Sequence, residues 1–583
     1  MCKEAAIWAR RRGNGWMRRA ATLVLALCLV GGTARSAESP SGIENQNRYS
    51  PLSEISTANV AGLRPVAAIP AGSSGSHVAA PAVAGGMLYV LTPFPHRLLA
   101  FGLQGPGLTL RWHYAPQSES MATGLGCCGR NGPVVADGRV YFTTLDGHAV
   151  ALDAATGALL WDVRAADPAA GETLAGTPLS VGDRVILGNA GDDLGARGWV
   201  EARSAASGAL LWKRYSTGPD EEVGIGDALR TAQATDLGVV SWPPAGWQHG
   251  GGSVSGPIAW DPQTGSIIHG TGHPAPWNPD QRTGENRWTS GLFARDPLTG
   301  AARWFLPIGP GDQHALGSTD ASLLVERAWQ GQERPLLLHP DANGHVYVLD
   351  RGTGGLLAVQ PFVPVTATEG LDPATGLLRR NPAKAVRVGG TTRDICPASP
   401  GAVGGHAAYS ARTGLLYIPA HRLCMDMEVR DTTFMPGTPF TGGSLRVAAA
   451  PGVSAGALLG WDVSTGHATW SRPERLPLQG GVLATAGDLV FYGTAEGMFR
   501  AVDARSGAEL WQFQAAAGIA GQPISYQGPD GRQYIAVLSG GSGLAGGEID
   551  MRDATAAGGR GQLLRDLPSP REGAGILYVF GLP

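Results

Sequence analysis

Short apolar runs recur along the chain, among them MLYVLTP, GRVYFTT, DRVILGN, HVYVLD, LLYIPA, DLVFYGT and YIAVLSG. They are rich in β-branched and aromatic residues, alternate with polar positions and end at Gly, Asp, Asn or Pro, which predicts strands. No segment sustains the helical period long enough for a long amphipathic helix. The runs alternate with one repeated phrase: Asp-x-x-Thr/Ser-Gly, three residues, then Trp. It stands as LDAATGALLW (Leu152 to Trp161), RSAASGALLW (Arg203 to Trp212, with Ser204 in the place of Asp), RDPLTGAARW (Arg295 to Trp304), WDVSTGHATW (Trp461 to Trp470) and VDARSGAELW (Val502 to Trp511). LDRGTGGLLA (Leu349 to Ala358) lacks the Trp, WDPQTGSIIH and YSARTGLLYI keep only the turn, and Trp112 reads as the end of a drifted copy.

The phrase has a physical logic. Asp and Thr/Ser side chains hydrogen-bond backbone groups inside a turn, and Gly supplies a positive φ. The Trp then offers a large apolar surface, with one N–H donor, to a neighbouring unit. Spacing of roughly 40–55 residues, or twice that, is the range of four-stranded propeller blades. The prediction is an all-β repeat fold with tryptophan-docking repeats. Residues 365–395 and 427–455 read as insertions, and ILYVFG (Ile576 to Gly581) as the strand that closes the ring beside N-terminal residues. Closure protects the edges of the first and last sheets.

The N-terminus changes the picture of where the chain works. Arg10, Arg11, Arg12, Arg18 and Arg19 precede an apolar stretch over 20–32, then Ala34, Ser36 and Ala37. This reads as a secretory signal peptide over 1–36, leaving a single domain over 37–583. Translation from Met17 would leave a complete signal as well. The signal holds seven basic residues and one acidic one, so its removal takes the net charge from -3 to about -9. An acidic chain without a basic run is a poor nucleic-acid ligand, and no later stretch reads as transmembrane. Six cysteines become four: Cys127, Cys128, Cys396 and Cys424. An even count in an exported chain suggests two disulfides. No Cys-x-x-Cys-His haem motif and no zinc-like spacing occurs.

Longer phrases carry a family resemblance. NQNRYSPLSEISTANVAGLRP, GLGCCGRNG, GNAGDDLGARGWVEA, GTGHPAPWN, ENRWTSGLFARDPLTGAARW, HPDANGHVYVLDR and GLLYIPAHRLCMDMEV follow one another in order. Together they resemble the pyrroloquinoline quinone (PQQ)-dependent methanol and ethanol dehydrogenases over essentially all of the mature chain. The resemblance implies an eight-bladed β-propeller, PQQ near its central axis, a calcium or lanthanide ion polarising the quinone, and an Asp base. It also implies a small alcohol as substrate, a separate electron acceptor such as a cytochrome, and a periplasmic location. The chemistry wants a carboxylate to take the alcohol proton, a hard cation on oxygen ligands and basic groups for the cofactor's carboxylates.

Carried over residue by residue, the resemblance is uneven. Cys127 and Cys128 match a vicinal disulfide, Arg130 is the nearest match for an arginine on a cofactor carboxylate, and Asn343 is kept. The metal-binding Glu aligns with Asp193, and the Asn ligand with His273. Asp192 and Asp193 are equally open to reading as solvated turn residues, and His273 as a structural histidine, since imidazole is a poor partner for calcium or a lanthanide. The family's T-P-H-D-E-W-D-Y stretch aligns with IGPGDQHALG, which puts Ala315 at the base position, Gly317 at the extra lanthanide-ligand position and Asp312 at the earlier acid. His314 and Asp320 are near enough in sequence to be recruited, or form a solvated loop. The stacking Trp aligns with Ser255, a basic residue with Ala342, an Asn-Trp pair with Gly404 and Gly405, and a hydroxyl residue with Ala190. Two readings follow: a divergent periplasmic PQQ-dependent dehydrogenase with a rearranged site, or a non-catalytic propeller that binds or scaffolds. A different ligand held through Asp193 and His273 is a third.

Overall fold

The protein was analysed as a computed structural model that describes residues 47–73, 75–117, 132–226, 229, 236–372, 374–399, 401–541 and 575–583. Among these, strands dominate and the helices are single turns such as Asp220–Val223. Eight sheets each hold four antiparallel strands in sequential order, and one of them gains a fifth strand. The first begins at Ala82–Ala84, the second at Val134–Ala136, the third at Leu179–Val181 and the fourth at Ala259–Asp261. The fifth begins at Leu323–Trp329, the sixth at Ala408–Ser410 and the seventh at Val482–Thr485. The eighth runs Ile524–Gln527, Gln533–Ser539, Ile576–Gly581 and then Arg64–Pro70, so both ends of the described chain meet in one sheet. The added strand, Tyr49–Ser50, pairs in parallel with the first strand of the seventh sheet, Tyr49 opposite Ala484.

The repeated phrase forms the turn between the last two strands of a sheet. In the second sheet, Asp153 Oδ1 accepts from the Ala155 and Thr156 amides and from the Thr156 hydroxyl at 3.1, 2.8 and 2.7 Å. The Trp of one sheet then reaches the turn of the next. Trp161 Nε1 donates to Ala205 O at 3.0 Å, Trp212 to Pro297 O at 2.9 Å, Trp304 to Arg351 O at 3.3 Å and Trp470 to Ala504 O at 3.3 Å. Each acceptor follows the turn's first residue. The turn glycine lies under the same indole: a Cβ at Gly300 would stand 2.6 Å from the Trp212 ring, and one at Gly354 2.6 Å from Trp304. Trp112 packs over Gly157 in this way, but its N–H has no partner, and Tyr89 donates to Ala154 O instead, at 2.9 Å.

Two further sheets lie outside this series: the hairpin Thr368–Leu371 with Leu378–Arg380, and a sheet of Thr391–Ile395, Leu423–Val429 and Gly443–Ala449. The second insertion expected from sequence is therefore the end of a larger unit that draws in 391–395 and 423–429. A Cys396–Cys424 disulfide ties it together.

Gly300→Ala and Gly331→Ala separate the two demands on a turn glycine. Both have positive φ, 71° and 82°, but nothing lies near a Cβ at Gly331. Gly331→Ala is expected to cost about 1 kcal/mol and Gly300→Ala roughly 2–4 kcal/mol, measured by urea unfolding. Equal losses would remove the ring contact from the account.

Candidate functional site

Three turns of one kind, each between the second and third strands of a sheet, carry the residues singled out by sequence. Asp192 and Asp193 sit in the third sheet's turn, His273 in the fourth's and Asn343 in the fifth's. The link between the fourth and fifth sheets supplies Asp312, His314 and Ala315.

Asp193 and His273 are brought together, with Nε2 to Oδ1 at 3.4 Å. The same Oδ1 accepts from Trp277 Nε1 at 2.7 Å, and the Asp193 carbonyl accepts from the Phe440 amide. His273 Nδ1 lies 3.2 Å from Pro274 O. Burial works against a charged His273. The carboxylate of Asp193, then those of Asp192 and Asp312, outweigh it and raise the imidazole pKa to about 10. His273 is thus a cation at neutral pH. Asp192 is engaged elsewhere: Ser253 donates to it through its amide at 2.7 Å and its hydroxyl at 2.8 Å. Burial raises the Asp192 pKa, and nearby His273 opposes the rise. Both acids are held by hydrogen bonds in their turn, and the Asp193 side chain remains 26% exposed.

Asp312 organises its loop. It accepts from the amides of His314 at 2.8 Å, Leu316 at 2.8 Å and Gly317 at 2.9 Å. Burial pushes its pKa up, but these N–H groups and the neighbouring histidines hold it below the usual range. A carboxylate so fully hydrogen-bonded is a weak base. His314 Nε2 pairs with Lys384 O at 2.8 Å and is 6% exposed, so this loop is packed rather than solvated.

Ala315 has φ 52° and is buried. Its cluster holds Trp277, Ile395, Leu423, Met425 and Val447, so the inserted sheet walls it in with apolar side chains. Ser399 Oγ donates to its carbonyl at 3.1 Å. Other positions marked by the resemblance are also closely packed. A Cβ at Gly404 would sit on the Leu478 carbonyl oxygen, one at Gly405 would meet Gly480 C at 2.5 Å, and one at Gly401 would meet the Ala342 methyl at 2.6 Å. Asn343 donates to the Tyr347 hydroxyl at 2.7 Å and accepts from the His345 amide at 3.1 Å. Cys127, Cys128 and Arg130 lie outside the described residues. The partners Trp277 and Ser253 were missed in the sequence, where nothing local links them to Asp193 or Asp192.

Comparison with known proteins places this site in a lineage. Residues 163–370 and 472–535 match the family described as glucose/ethanol/alcohol dehydrogenase, beta-propeller domain. Residues 53–241 match the family described as outer membrane protein assembly factor BamB. The chain is 36% identical to the lanthanide-dependent methanol dehydrogenase of Methylacidiphilum fumariolicum, across 93% of this chain and 90% of that protein. The chain belongs to the PQQ-dependent methanol and ethanol dehydrogenase family. Another member of that family, methanol dehydrogenase (cytochrome c) subunit 1 of Methylobacterium organophilum, is 34% identical across 92% of this chain and 89% of its own. The solved structure of a europium-containing methanol dehydrogenase matches at TM-score 0.86 and 35% identity, covering 92% of this chain and 96% of that one.

The position that the family resemblance assigns to the metal fits a hard cation poorly. Calcium takes six to eight oxygens, whereas Asp193 Oδ1 already serves an indole N–H and an imidazole. Among the described residues no group of three or more His, Cys, Asp or Glu could hold a metal ion.

The His273 charge has a pH signature. Its folded pKa, about 10, lies above the ordinary 6.5, so its stabilisation is fully present below about pH 6.5 and is lost as pH rises through about 10. The stability difference between the wild type and His273→Asn, from urea unfolding across pH 6 to 10, is expected to shrink over that window. A difference that does not change with pH would contradict the ion pair.

Proposed function

We propose that this chain is an exported, divergent PQQ-dependent dehydrogenase-like protein, folded as an eight-bladed, tryptophan-docked propeller, in which metal-assisted alcohol oxidation is weak or absent. By family its chemistry would be oxidation of a small alcohol in the periplasm, with PQQ and a calcium or lanthanide ion, and with electrons passed to a separate cytochrome. The signal-like N-terminus supports export. The observation that carries the reading is the closed Asp193–His273–Trp277 cluster, a metal position in which an imidazole and an indole meet the remaining carboxylate. No carboxylate stands at Ala315 to take an alcohol proton, and Asp312 is committed to three amides.

The apolar packing around Ala315 favours a second reading, a non-catalytic propeller that kept its scaffold and gave up turnover.

Purified protein titrated with PQQ and with calcium or lanthanum, then assayed for dye-linked alcohol oxidation, tests both. The expected outcome is no metal-dependent turnover, and none gained by Ala315→Asp alone. Tight PQQ binding with turnover would overturn the non-catalytic reading. Absence of PQQ binding would overturn the dehydrogenase reading. Substantial rescue by Ala315→Asp would show that the metal position is intact after all.

A further inference from the structure

Three segments far apart in sequence enclose a cavity of about 270 Å³. They are the loop after Trp277, the link between the fourth and fifth sheets, and the stretch that ends the hairpin Thr368–Leu371 with Leu378–Arg380. The wall is basic, although the chain carries a net charge of -3. Arg282, Arg380 and Arg387 line it together with Thr283 and Gln313, and among the described lining residues Asp280 is the one carboxylate.

The backbone fixes these segments against one another. The Gly311 amide donates to Glu285 O at 2.8 Å, and Arg380 Nη1 donates to Gly311 O at 2.9 Å. Asn381, next to Arg380, donates to Ala367 O through its amide and to Thr366 O through its side chain, both at 2.9 Å. Arg282 bridges two of the segments. It donates to the carbonyls of Pro276, Trp277 and Asp312, and to Asn286 Oδ1 at 2.9 Å.

All of these acceptors are neutral, so the bonds hold Arg282 in place without balancing its charge. Burial pulls its pKa down to about 10; the Asp312 carboxylate opposes the fall, and the positive charge of Arg380 adds to it. Two guanidinium groups are thus held close enough to repel. Asp312 is already committed to three amides. Among the described residues no carboxylate forms an ion pair with Arg282, Arg380 or Arg387. Gathering cations at a partly buried wall without a counter-charge is costly, and a bound anion offsets that cost.

The donors specify the anion. Arg380 spends one N–H on Gly311 O, and no described bond engages the side chains of Arg387, Thr283 or Gln313. Two guanidinium forks, a hydroxyl and an amide on different segments suit a phosphate, which accepts from several directions at once. The cavity has room for more than that group, and Asp280 is placed to accept from hydroxyls.

We propose that this cavity binds the phosphate monoester of a small hydroxylated compound. Arg380 and Arg387 donate to the phosphate, and Arg282 stands beside them as a fixed positive charge. The site does not depend on the dehydrogenase reading.

Calorimetric titration of the full-length protein at constant ionic strength, with glycerol 3-phosphate, inorganic phosphate, glycerol and succinate, tests this. The expected order is glycerol 3-phosphate tightest, then phosphate, succinate at least tenfold weaker than the ester, and no binding of glycerol. Arg380→Gln is expected to weaken the ester roughly tenfold and Arg387→Gln severalfold. Arg111→Gln, an exposed arginine on the first sheet, is expected to leave it unchanged. No binding of either phosphate, succinate as tight as the ester, or equal losses in all three variants overturns the proposal. Should Arg380→Gln fail to fold, wild-type crystals soaked in arsenate decide: an arsenic peak within hydrogen-bond reach of the Arg380 guanidinium supports the site, and its absence there overturns it.

Discussion

The contact on which the rest of the structure depends is an indole N–H delivered to the turn of the next sheet. It recurs at Trp161, Trp212, Trp304 and Trp470, each time with the turn glycine beneath the ring. The Asp shapes the turn, the carbonyl that follows it becomes the acceptor, and the glycine lets the ring approach. Four features of one phrase thus serve one inter-sheet bond. The pairing of Arg64–Pro70 with Ile576–Gly581 completes the eighth sheet from both ends of the described chain, which removes an open sheet edge.

Neighbouring sheets are held at these turns, whereas Asp193, His273 and Asn343 sit on other turns, between the second and third strands of their sheets. Asp192, Asp193 and Asp312 gather near one place, and buried acids need a counter-charge. In this chain His273 supplies it, kept protonated by those same acids. The inserted sheet closes over the same place: Leu423, Met425 and Val447 share one apolar cluster with Ala315, and Phe440 donates to the Asp193 carbonyl. The cation and the apolar roof therefore form one packed unit.

Much of the fold was legible because its signals are local. Strand runs, the Asp-x-x-Thr/Ser-Gly turn and the following Trp each declare themselves within ten residues. The glycine was only half legible: positive φ follows from the turn, but the ring above it comes from another sheet. The sheet joining 391–395 to 423–429 and 443–449 escaped for the same reason, since its pairing is non-local and its two outer members looked like separate insertions. At the site, Asp193 and His273 were marked by alignment with family phrases. Their chemistry was not, because Trp277 is 84 residues from Asp193 and Ser253 is 61 from Asp192.

The central claim is the proposal that a protein cation, His273, stands at the position the family resemblance assigns to a metal ion. Anomalous diffraction from crystals of the full-length protein grown with lanthanum tests it most directly. The account predicts no lanthanum peak at coordinating distance from Asp193, and His273 still paired with that carboxylate. A well-occupied peak on Asp193, with His273 displaced, would contradict it.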